Sequence, residues 1–192
     1  MELSPKRSYD EYLLLIQPDQ QTVEEIIAER DYFMGHCQRG YRVGPRPHVS
    51  LLNAVTLADS KQSKQLVHII GQVSMRMKQF EIWLNGYSTF KGTNDLRINV
   101  MNKMSIRSFL DDFRKRLDQE PINSVGNVKL MGDTDITLAS KIDEQELEQL
   151  TKEYIYRPFE KDFWVKSLIL LKRRVNISSS RITHFSKLKE FR

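Results

Sequence analysis

The sequence predicts an α+β protein made of two similar halves that face a shared cleft. The main observation is a short motif that occurs twice, in Arg46–Leu52 and again in Asp133–Ala139. Each copy contains a polar residue, any residue, a hydroxyl residue and a leucine, and positions 48 and 135 lie 87 residues apart. A matched pair of this kind indicates two related halves. Helical and strand-like apolar patterns are mixed throughout, and the chain has no glycine fingerprint of a dinucleotide fold or a P-loop.

The polar residues of the two motifs carry the candidate chemistry. Alternation along an extended strand places His48 and Ser50 on one face of the first copy. The same alternation groups Asp135 with Thr137 in the second copy. The intervening residues are apolar, so each strand presents one polar face and one face that suits a hydrophobic core.

Length and composition limit the class of protein. With 192 residues the chain can bury a substantial core, and we treat residues 1–192 as one two-lobed domain. The 40% apolar and 29% charged content is ordinary for a globular protein, and no stretch approaches the ~18 apolar residues of a membrane span. The first seven residues are too polar for a secretory signal, and Cys37 is the single cysteine. We therefore expect a cytoplasmic monomer without a membrane partner.

The charge of the chain favours an anionic partner. The net charge of +5 and the pI of about 9.3 fit an RNA or nucleotide phosphodiester. One cysteine and four scattered histidines make a poor metal site, so we expect no metal and no cofactor.

Hydrophobic spacing predicts the elements of the first half. The apolar run Tyr12–Ile16 is interpreted as a buried strand. A helix is predicted over Val23–Cys37, with Thr22 as its cap. Its predicted apolar face comprises Val23, Ile26, Ile27 and Met34. Glycines and prolines between positions 40 and 47 end this helix before the motif strand at His48.

The middle of the chain contains the clearest helical pattern. Apolar residues recur at helical spacing in Leu66, Ile69, Ile70, Val73 and Met77. Two alternating runs follow, Phe80–Leu84 and Leu96–Val100, with turn residues Gly92–Asp95 between them. They indicate a pair of antiparallel strands.

The second half repeats the mixture of helices and strands. Ser105 is predicted to cap a helix that extends to Leu117, and Asp143 opens a shorter helix after the second motif. The apolar run Phe163–Leu171 is interpreted as one strand. The basic tail Lys172–Arg192 has apolar residues at three-residue spacing, which favours a packed last element over a nucleic-acid tail. The predicted order is strand–helix–strand–helix–strand–strand–helix–strand–helix–strand.

The motifs and their order resemble the two-histidine phosphoesterase superfamily, which includes bacterial 2′-5′ RNA ligase-like proteins and cyclic phosphodiesterases. That family carries two motifs of the form His-x-Ser/Thr-hydrophobic, and the second commonly continues as Leu-Ala-Arg. The corresponding segments here are Pro47-His48-Val49-Ser50-Leu51 and Asp135-Ile136-Thr137-Leu138-Ala139-Ser140. The resemblance covers nearly the whole chain. It implies a bilobal, pseudo-twofold α+β fold with antiparallel sheets around a central groove that holds both motifs.

The chain departs from the family pattern at the second motif. Asp135 stands where the family has its second histidine, and Ser140 where it commonly has arginine. The resemblance implies that one histidine accepts a proton from the attacking group, the other protonates the leaving oxygen, and the hydroxyl residues hold phosphate oxygens. An unperturbed aspartate has a pKa of about 3.9, so at pH 7 it can act only as a base. As an acid it would need a pKa about 3 higher, at a cost of ~4 kcal/mol.

Three functions remain open from the sequence. The leading one is metal-independent phosphodiester chemistry, hydrolase or ligase, on an RNA end or a cyclic nucleotide derivative. His48 would then be the general acid and Asp135 a weak base, while Ser50 and Thr137 bind phosphate. The second is a nucleotide- or RNA-binding module that does not turn its ligand over, and the third is a protein–protein scaffold.

Further side chains are candidates for ligand binding. Arg42 and Arg46, in the loop before His48, could clamp a phosphate. Tyr87 and Phe90, near the predicted turn, could stack on a base, although aromatic strand residues more often belong to a core.

Overall fold

The structure is a computed structural model that describes residues 8–37, 41–44, 46–57, 59–122, 128–132, 134–176 and 184–192. Asp133, the first residue of the second motif copy, lies outside these ranges. The described residues form eight strands and four helices. In chain order they are β1 (Ser8–Ile16), α1 (Gln20–His36), β2 (Val49–Leu57), α2 (Ser60–Ser74), β3 (Phe80–Phe90), β4 (Asp95–Val100), α3 (Met104–Gln119), β5 (Ile136–Ala139), α4 (Glu144–Tyr154), β6 (Glu160–Val165), β7 (Leu168–Asn176) and β8 (Ser186–Phe191).

The strands form two antiparallel sheets, one in each lobe. Sheet 1 has the order β2-β1-β7-β8 and sheet 2 the order β5-β4-β3-β6. The segments β1-α1-β2-α2 and β4-α3-β5-α4 follow the same plan, with a motif strand after the first helix of each. Helix α1 follows β1 of sheet 1 but packs on β5 and β6. Helix α3 follows β4 of sheet 2 but packs on α2. This exchange confirms the predicted bilobal, pseudo-twofold α+β architecture.

The core follows the predicted apolar patterns. Tyr12, Leu14 and Ile16 are buried on one face of β1, as alternation requires. The residues at helical spacing in α2 are also buried, namely Leu66, Ile69, Ile70 and Val73. No helix among the described residues is long and apolar enough to cross a membrane.

Two of the three predicted helix starts are wrong. Helix α1 begins at Gln20, and its cap is Asp19, whose carboxylate accepts a hydrogen bond of 2.9 Å from the Thr22 amide. Helix α3 begins at Met104 without a side-chain cap, so Ser105 lies inside it. In both cases the chain becomes helical earlier than the predicted capping residue. The third start is confirmed, since the Asp143 carboxylate accepts from the backbone at the start of α4.

The prediction of one strand over Phe163–Leu171 is wrong. This run contains the end of β6 in sheet 2 and the start of β7 in sheet 1. The chain changes lobes at Lys166 and Ser167, where no glycine or proline marks the break. Both strands are apolar because each buries one face in its own sheet, so hydrophobicity is continuous across the junction. The tail then forms β8, which pairs with β7 and buries Phe191.

Backbone pairing between the lobes holds the two motif strands beside each other. Arg42, before the first motif, forms an antiparallel bridge with Ser140 at the end of the second, through hydrogen bonds of 2.7 and 2.8 Å. Conversely, Leu130, before the second motif, bridges to Leu52 in the first motif strand. The Met131 amide adds a hydrogen bond of 3.0 Å to the Leu51 carbonyl. Each motif strand is therefore fixed by the segment that leads into the other.

Candidate functional site

A cavity of about 110 Å³ lies where the two motif strands meet. Its lining comprises Gly44, Arg46, His48, Ser50, Arg97, Met131, Asp135 and Thr137. Five predicted site residues thus converge there. Arg42, the remaining one, is not part of the lining; its side chain is exposed and its backbone pairs with Ser140.

The two motifs present their polar residues in the same way. His48 directly precedes β2, and Asp135 directly precedes β5. The hydroxyl residues Ser50 and Thr137 are each the second residue of their strand and are half-buried. Because the plan is the same on both sides, the cavity receives one titratable group and one hydroxyl from each lobe.

His48 is arranged as a neutral imidazole. Its Nδ1 atom lies 2.8 Å from the Arg46 carbonyl oxygen, which can only accept, so Nδ1 carries a hydrogen. Burial lowers the pKa of His48. The hydrogen bond to the Arg46 carbonyl raises it, and the positive charge of Arg30 lowers it further. The result is a pKa below the ordinary value. Nε2 is then unprotonated at neutral pH and can take up a proton.

Asp135 is held by two donors. Its Oδ1 atom accepts a hydrogen bond of 2.8 Å from the Val100 amide and lies 2.7 Å from the Lys103 ammonium. Both partners are donors, so this oxygen atom acts as an acceptor. The Asp135 side chain is 13% exposed and that of Lys103 27%, so the pair is shielded from bulk water. An ion pair therefore lies at the start of the second motif strand.

Arg97 is a cavity residue that the sequence interpretation missed. It lies on β4 directly opposite Thr137, and its Nη2 atom is 2.8 Å from Oδ2 of the buried Asp95. Alternation with Leu96 and Ile98 already placed Arg97 on the polar face of a predicted strand. Its position beside Thr137 depends on the pairing of β4 with β5, which the local pattern does not reveal.

Arg30 supplies a buried positive charge behind the cavity. It is only 5% exposed, and its Nη1 atom donates a hydrogen bond of 2.9 Å to the carbonyl of Gly44. Its Nε and Nη2 atoms have no hydrogen-bond partner among the described residues. Burial lowers the pKa of Arg30, although nearby Asp31 opposes this effect. Even a lowered arginine pKa leaves the group charged at neutral pH.

The sequence carries a signal for the burial of Arg30. The buried face of α1 includes Val23, Ile26, Arg30 and Phe33. The predicted face was partly wrong, since Met34 is exposed. An arginine at helical spacing among apolar residues indicates a charge inside the protein, and buried charges usually have a partner or a function.

The charges around the cavity favour an anion. Arg46 and Arg97 line the cavity and Arg30 lies behind it. Two carboxylates offset part of this charge, since Asp135 pairs with Lys103 and Asp95 with Arg97. At the low effective dielectric of a half-buried site, this excess of positive charge attracts a phosphate group. In the described part of the chain, no group of three or more His, Cys, Asp or Glu side chains is close enough to hold a metal ion.

The two aromatic candidates have different positions. Tyr87 is buried; its hydroxyl donates a hydrogen bond of 2.7 Å to Glu29, and its ring packs edge-on against Tyr154. Tyr87 therefore belongs to the core. Phe90, by contrast, is exposed and contacts the guanidinium of Arg97.

The chain matches the model of one known family. A family model described as the 2′-5′ RNA ligase superfamily matches residues 18–176. The chain belongs to this superfamily. Membership confirms the resemblance drawn from the two motifs. No curated protein sequence matches the chain.

Several solved structures share the fold. E. coli LigT in its apo form is 16% identical with a TM-score of 0.64, over 96% of this chain and 98% of LigT. TT0787 of Thermus thermophilus is 12% identical with a TM-score of 0.67, over 94% and 96%. Kluyveromyces marxianus Usb1 is 14% identical with a TM-score of 0.54, over 91% and 97%. LigT has also been solved with 3′-AMP, and Usb1 with uridine monophosphate.

Proposed function

We propose that this superfamily member carries out metal-independent chemistry on the phosphodiester of an RNA end or a cyclic nucleotide derivative. The observation that carries the proposal is the cavity in which His48, Ser50 and Thr137 meet beside Arg97. The nucleotides found in LigT and Usb1 add support, since both proteins share the fold.

In this proposal the cavity holds a phosphate group. The hydroxyls of Ser50 and Thr137 donate to its non-bridging oxygens, and Arg97 supplies charge-assisted hydrogen bonds. Arg46 acts from the exposed rim of the cavity. Arg30 contributes through its electrostatic field. Its Nε and Nη2 atoms are buried, so they do not contact the phosphate directly. These positive charges would stabilise the extra negative charge that develops on the phosphoryl oxygens during displacement.

We assign the base role to His48, in place of the acid role expected from the sequence. Nε2 of His48 takes a proton from the attacking water or hydroxyl, whose oxygen bonds to phosphorus as the bond to the leaving oxygen breaks. We give Asp135 no donor role, because its Oδ1 atom accepts from the Val100 amide and pairs with the Lys103 ammonium. The leaving oxygen therefore takes its proton from water, and the reaction is slower than one with two histidines.

A second candidate function rests on the same contacts of Asp135. The Val100 amide and the Lys103 ammonium both contact Oδ1 of Asp135, which the motif resemblance aligns with the family's second histidine. A groove of this kind would bind a nucleotide or an RNA end without turning it over. Asp135 could then pair with a ribose hydroxyl, as carboxylates do in other nucleotide sites.

We also propose that residues 1–192 act as one monomeric unit, since both lobes contribute to the cavity lining. The single Cys37 supports a reducing cytoplasm as its compartment.

The test is an assay in EDTA with 2′,3′-cyclic and 2′-5′-linked oligonucleotides as substrates. We expect slow turnover by the wild type and a loss of about 10²–10⁴-fold in His48→Ala, because a proton-transfer group is removed. His68→Ala, which removes an exposed histidine from α2, should leave the rate unchanged. Asp135→His should raise the rate, whereas Asp135→Asn, which gains no transferable proton, should not.

The outcomes separate the two candidate functions. Turnover that depends on His48 supports an enzyme. Binding without turnover in the wild type, together with activity in Asp135→His, supports the binding module. If the wild type neither binds nor converts any of these compounds, both functions are wrong and the third expectation, a scaffold, gains support.

A further inference from the structure

Phe90 is an exposed aromatic residue on the cavity side of sheet 2. Across β3 and β4, Ser88 pairs with Arg97 and Phe90 pairs with Asp95. Residues 88 and 90 therefore lie on the same face as Arg97, because successive side chains of a strand alternate between faces. Phe90 is 49% exposed, whereas Tyr87 on the opposite face is buried. The Phe90 ring is thus accessible to a ligand bound beside Arg97.

Neighbouring groups hold the ring in place. The guanidinium carbon of Arg97 lies 4.6 Å from the ring centroid, and Arg97 is itself bound to Asp95. The ring also lies against Gly92 in the turn, where a Cβ atom would be only 2.9 Å from ring atom Cε1. Any side chain at position 92 would displace the ring. A ring fixed in this way loses little conformational entropy when a ligand stacks on it.

Arg97 connects this ring to the phosphate cavity. It lines the cavity and also contacts Phe90, so a phosphate beside Arg97 brings its attached nucleoside close to the ring. We propose that Phe90, backed by Arg97, is the stacking platform for the nucleobase of the bound ligand. Stacking accepts every base because each base has a π face. The ligand class is therefore a nucleoside phosphate of any base, in preference to a plain sugar phosphate.

This inference rests on the proposed function, since it places the base of the ligand whose phosphate occupies the cavity. The test compares two compounds by isothermal titration calorimetry with the full-length protein. The first is adenosine 3′-monophosphate, and the second is 1,4-anhydroribitol 3-phosphate, the same sugar phosphate without a base. We expect the wild type to prefer the nucleotide by roughly 5- to 150-fold, which is the usual contribution of one stacked base.

Variants then identify the platform. Phe90→Ala should bring the affinity ratio of the two compounds close to one, while its affinity for the sugar phosphate stays that of the wild type and shows that it folds. Phe90→Tyr keeps a ring and should keep the preference. Tyr156→Ala removes an exposed aromatic residue elsewhere and should also keep it.

Two results would overturn the inference while leaving the phosphate site of the proposed function in place. One is equal affinity of the wild type for the two compounds. The other is a nucleotide preference that survives in folded Phe90→Ala. If the wild type binds neither compound, the base platform and the proposed function fail together.

Discussion

Among single residues, His48 and Arg30 form the electrostatic centre of the site. Burial lowers the pKa of His48, and the buried charge of Arg30 adds to this effect. Arg30 itself is held by the carbonyl of Gly44, a cavity residue. A charge that attracts phosphate therefore also keeps the imidazole neutral and able to act as a base. One residue of α1 thus supports both binding and the proposed proton transfer.

The direction of this shift predicts a pH dependence. The neutral form of His48 should persist below its ordinary pKa of about 6.5, so the acidic limb of the activity profile should lie below pH 6.5. In the unfolded chain His48 takes up its proton near pH 6.5, before the folded chain does. Stability should therefore decrease as the pH falls from 6.5 through the pKa of the folded state.

Replacing Arg30 tests the electrostatic part of the pKa shift of His48, which adds to the larger effect of burial. Arg30→Met keeps a long side chain in the buried position but removes its charge, so the pKa of His48 should rise. An NMR titration of the His48 imidazole measures this value without any substrate. Arg114→Met, which removes an exposed arginine from α3, is the matched control and should change nothing. A His48 pKa that is unchanged or lower in Arg30→Met would contradict this account.

Among the elements, helix α1 packs on the lobe of sheet 2, although the strand before it, β1, belongs to sheet 1. The Glu29 carboxylate joins it to sheet 2, accepting hydrogen bonds of 2.8 and 3.1 Å from Arg157 and one of 2.7 Å from Tyr87. Arg157 also stacks on the Tyr32 ring, 3.8 Å from its centroid. Because Arg30 is the next residue of α1, this cluster also fixes the charge behind the cavity.

Loss of the Glu29 cluster should weaken the fold. Glu29→Gln should lower the free energy of unfolding by about 1–3 kcal/mol, less than for a fully buried pair, because the side chains of Glu29 and Arg157 are 20% and 28% exposed. Urea unfolding at pH 7 measures this difference. Glu24→Gln, at an exposed position of the same helix, should have a smaller effect.

The Glu29 contribution should also depend on pH. Burial alone would raise the pKa of Glu29, but hydrogen bonds from Arg157 and Tyr87 outweigh it and lower the pKa below 4.5. A lowered carboxyl pKa stabilises the folded state above pH 4.5, and this contribution disappears as the pH falls through the folded-state pKa. The difference between wild type and Glu29→Gln should shrink in the same range. A constant difference down to pH 2 would rule out an ionic origin.

Across the whole molecule, pairing between the lobes keeps the two motifs together. The Ser140 amide donates a hydrogen bond of 2.8 Å to the Arg42 carbonyl, which holds the loop that contains Gly44 and Arg46 over the cavity. Ser140→Pro removes this donor. We expect it to lower the free energy of unfolding by about 1–3 kcal/mol and to weaken binding of 3′-AMP.

Urea unfolding and calorimetry of the same sample test both effects. Ser140→Ala is the control, since it keeps the amide and loses only the long hydroxyl contact of 3.4 Å with Arg42. It should behave like the wild type. If Ser140→Pro binds 3′-AMP as tightly as Ser140→Ala, pairing between the lobes does not position the cavity loop.

Local patterns in the chain were sufficient to predict the two halves of the fold and the polar residues of the two motif strands. Alternation placed His48 with Ser50 and Asp135 with Thr137, and the repeat of this pattern predicted two halves around one groove. These predictions are possible because the periods of strands and helices are properties of a few consecutive residues. The boundary between β6 and β7 was missed for the same reason, since an apolar run looks the same whether it serves one sheet or two.

The remaining features of the site depend on contacts between distant parts of the chain. Arg97 joins the cavity through the pairing of β4 with β5, and Lys103 meets Asp135 only when α3 starts beside the second motif. Arg30 approaches Gly44 because α1 crosses to the other lobe. Local sequence carries the identity of these groups but no information on their partners. The charges around His48 and Asp135 are therefore set by long-range packing, and the proposed proton roles follow from those charges.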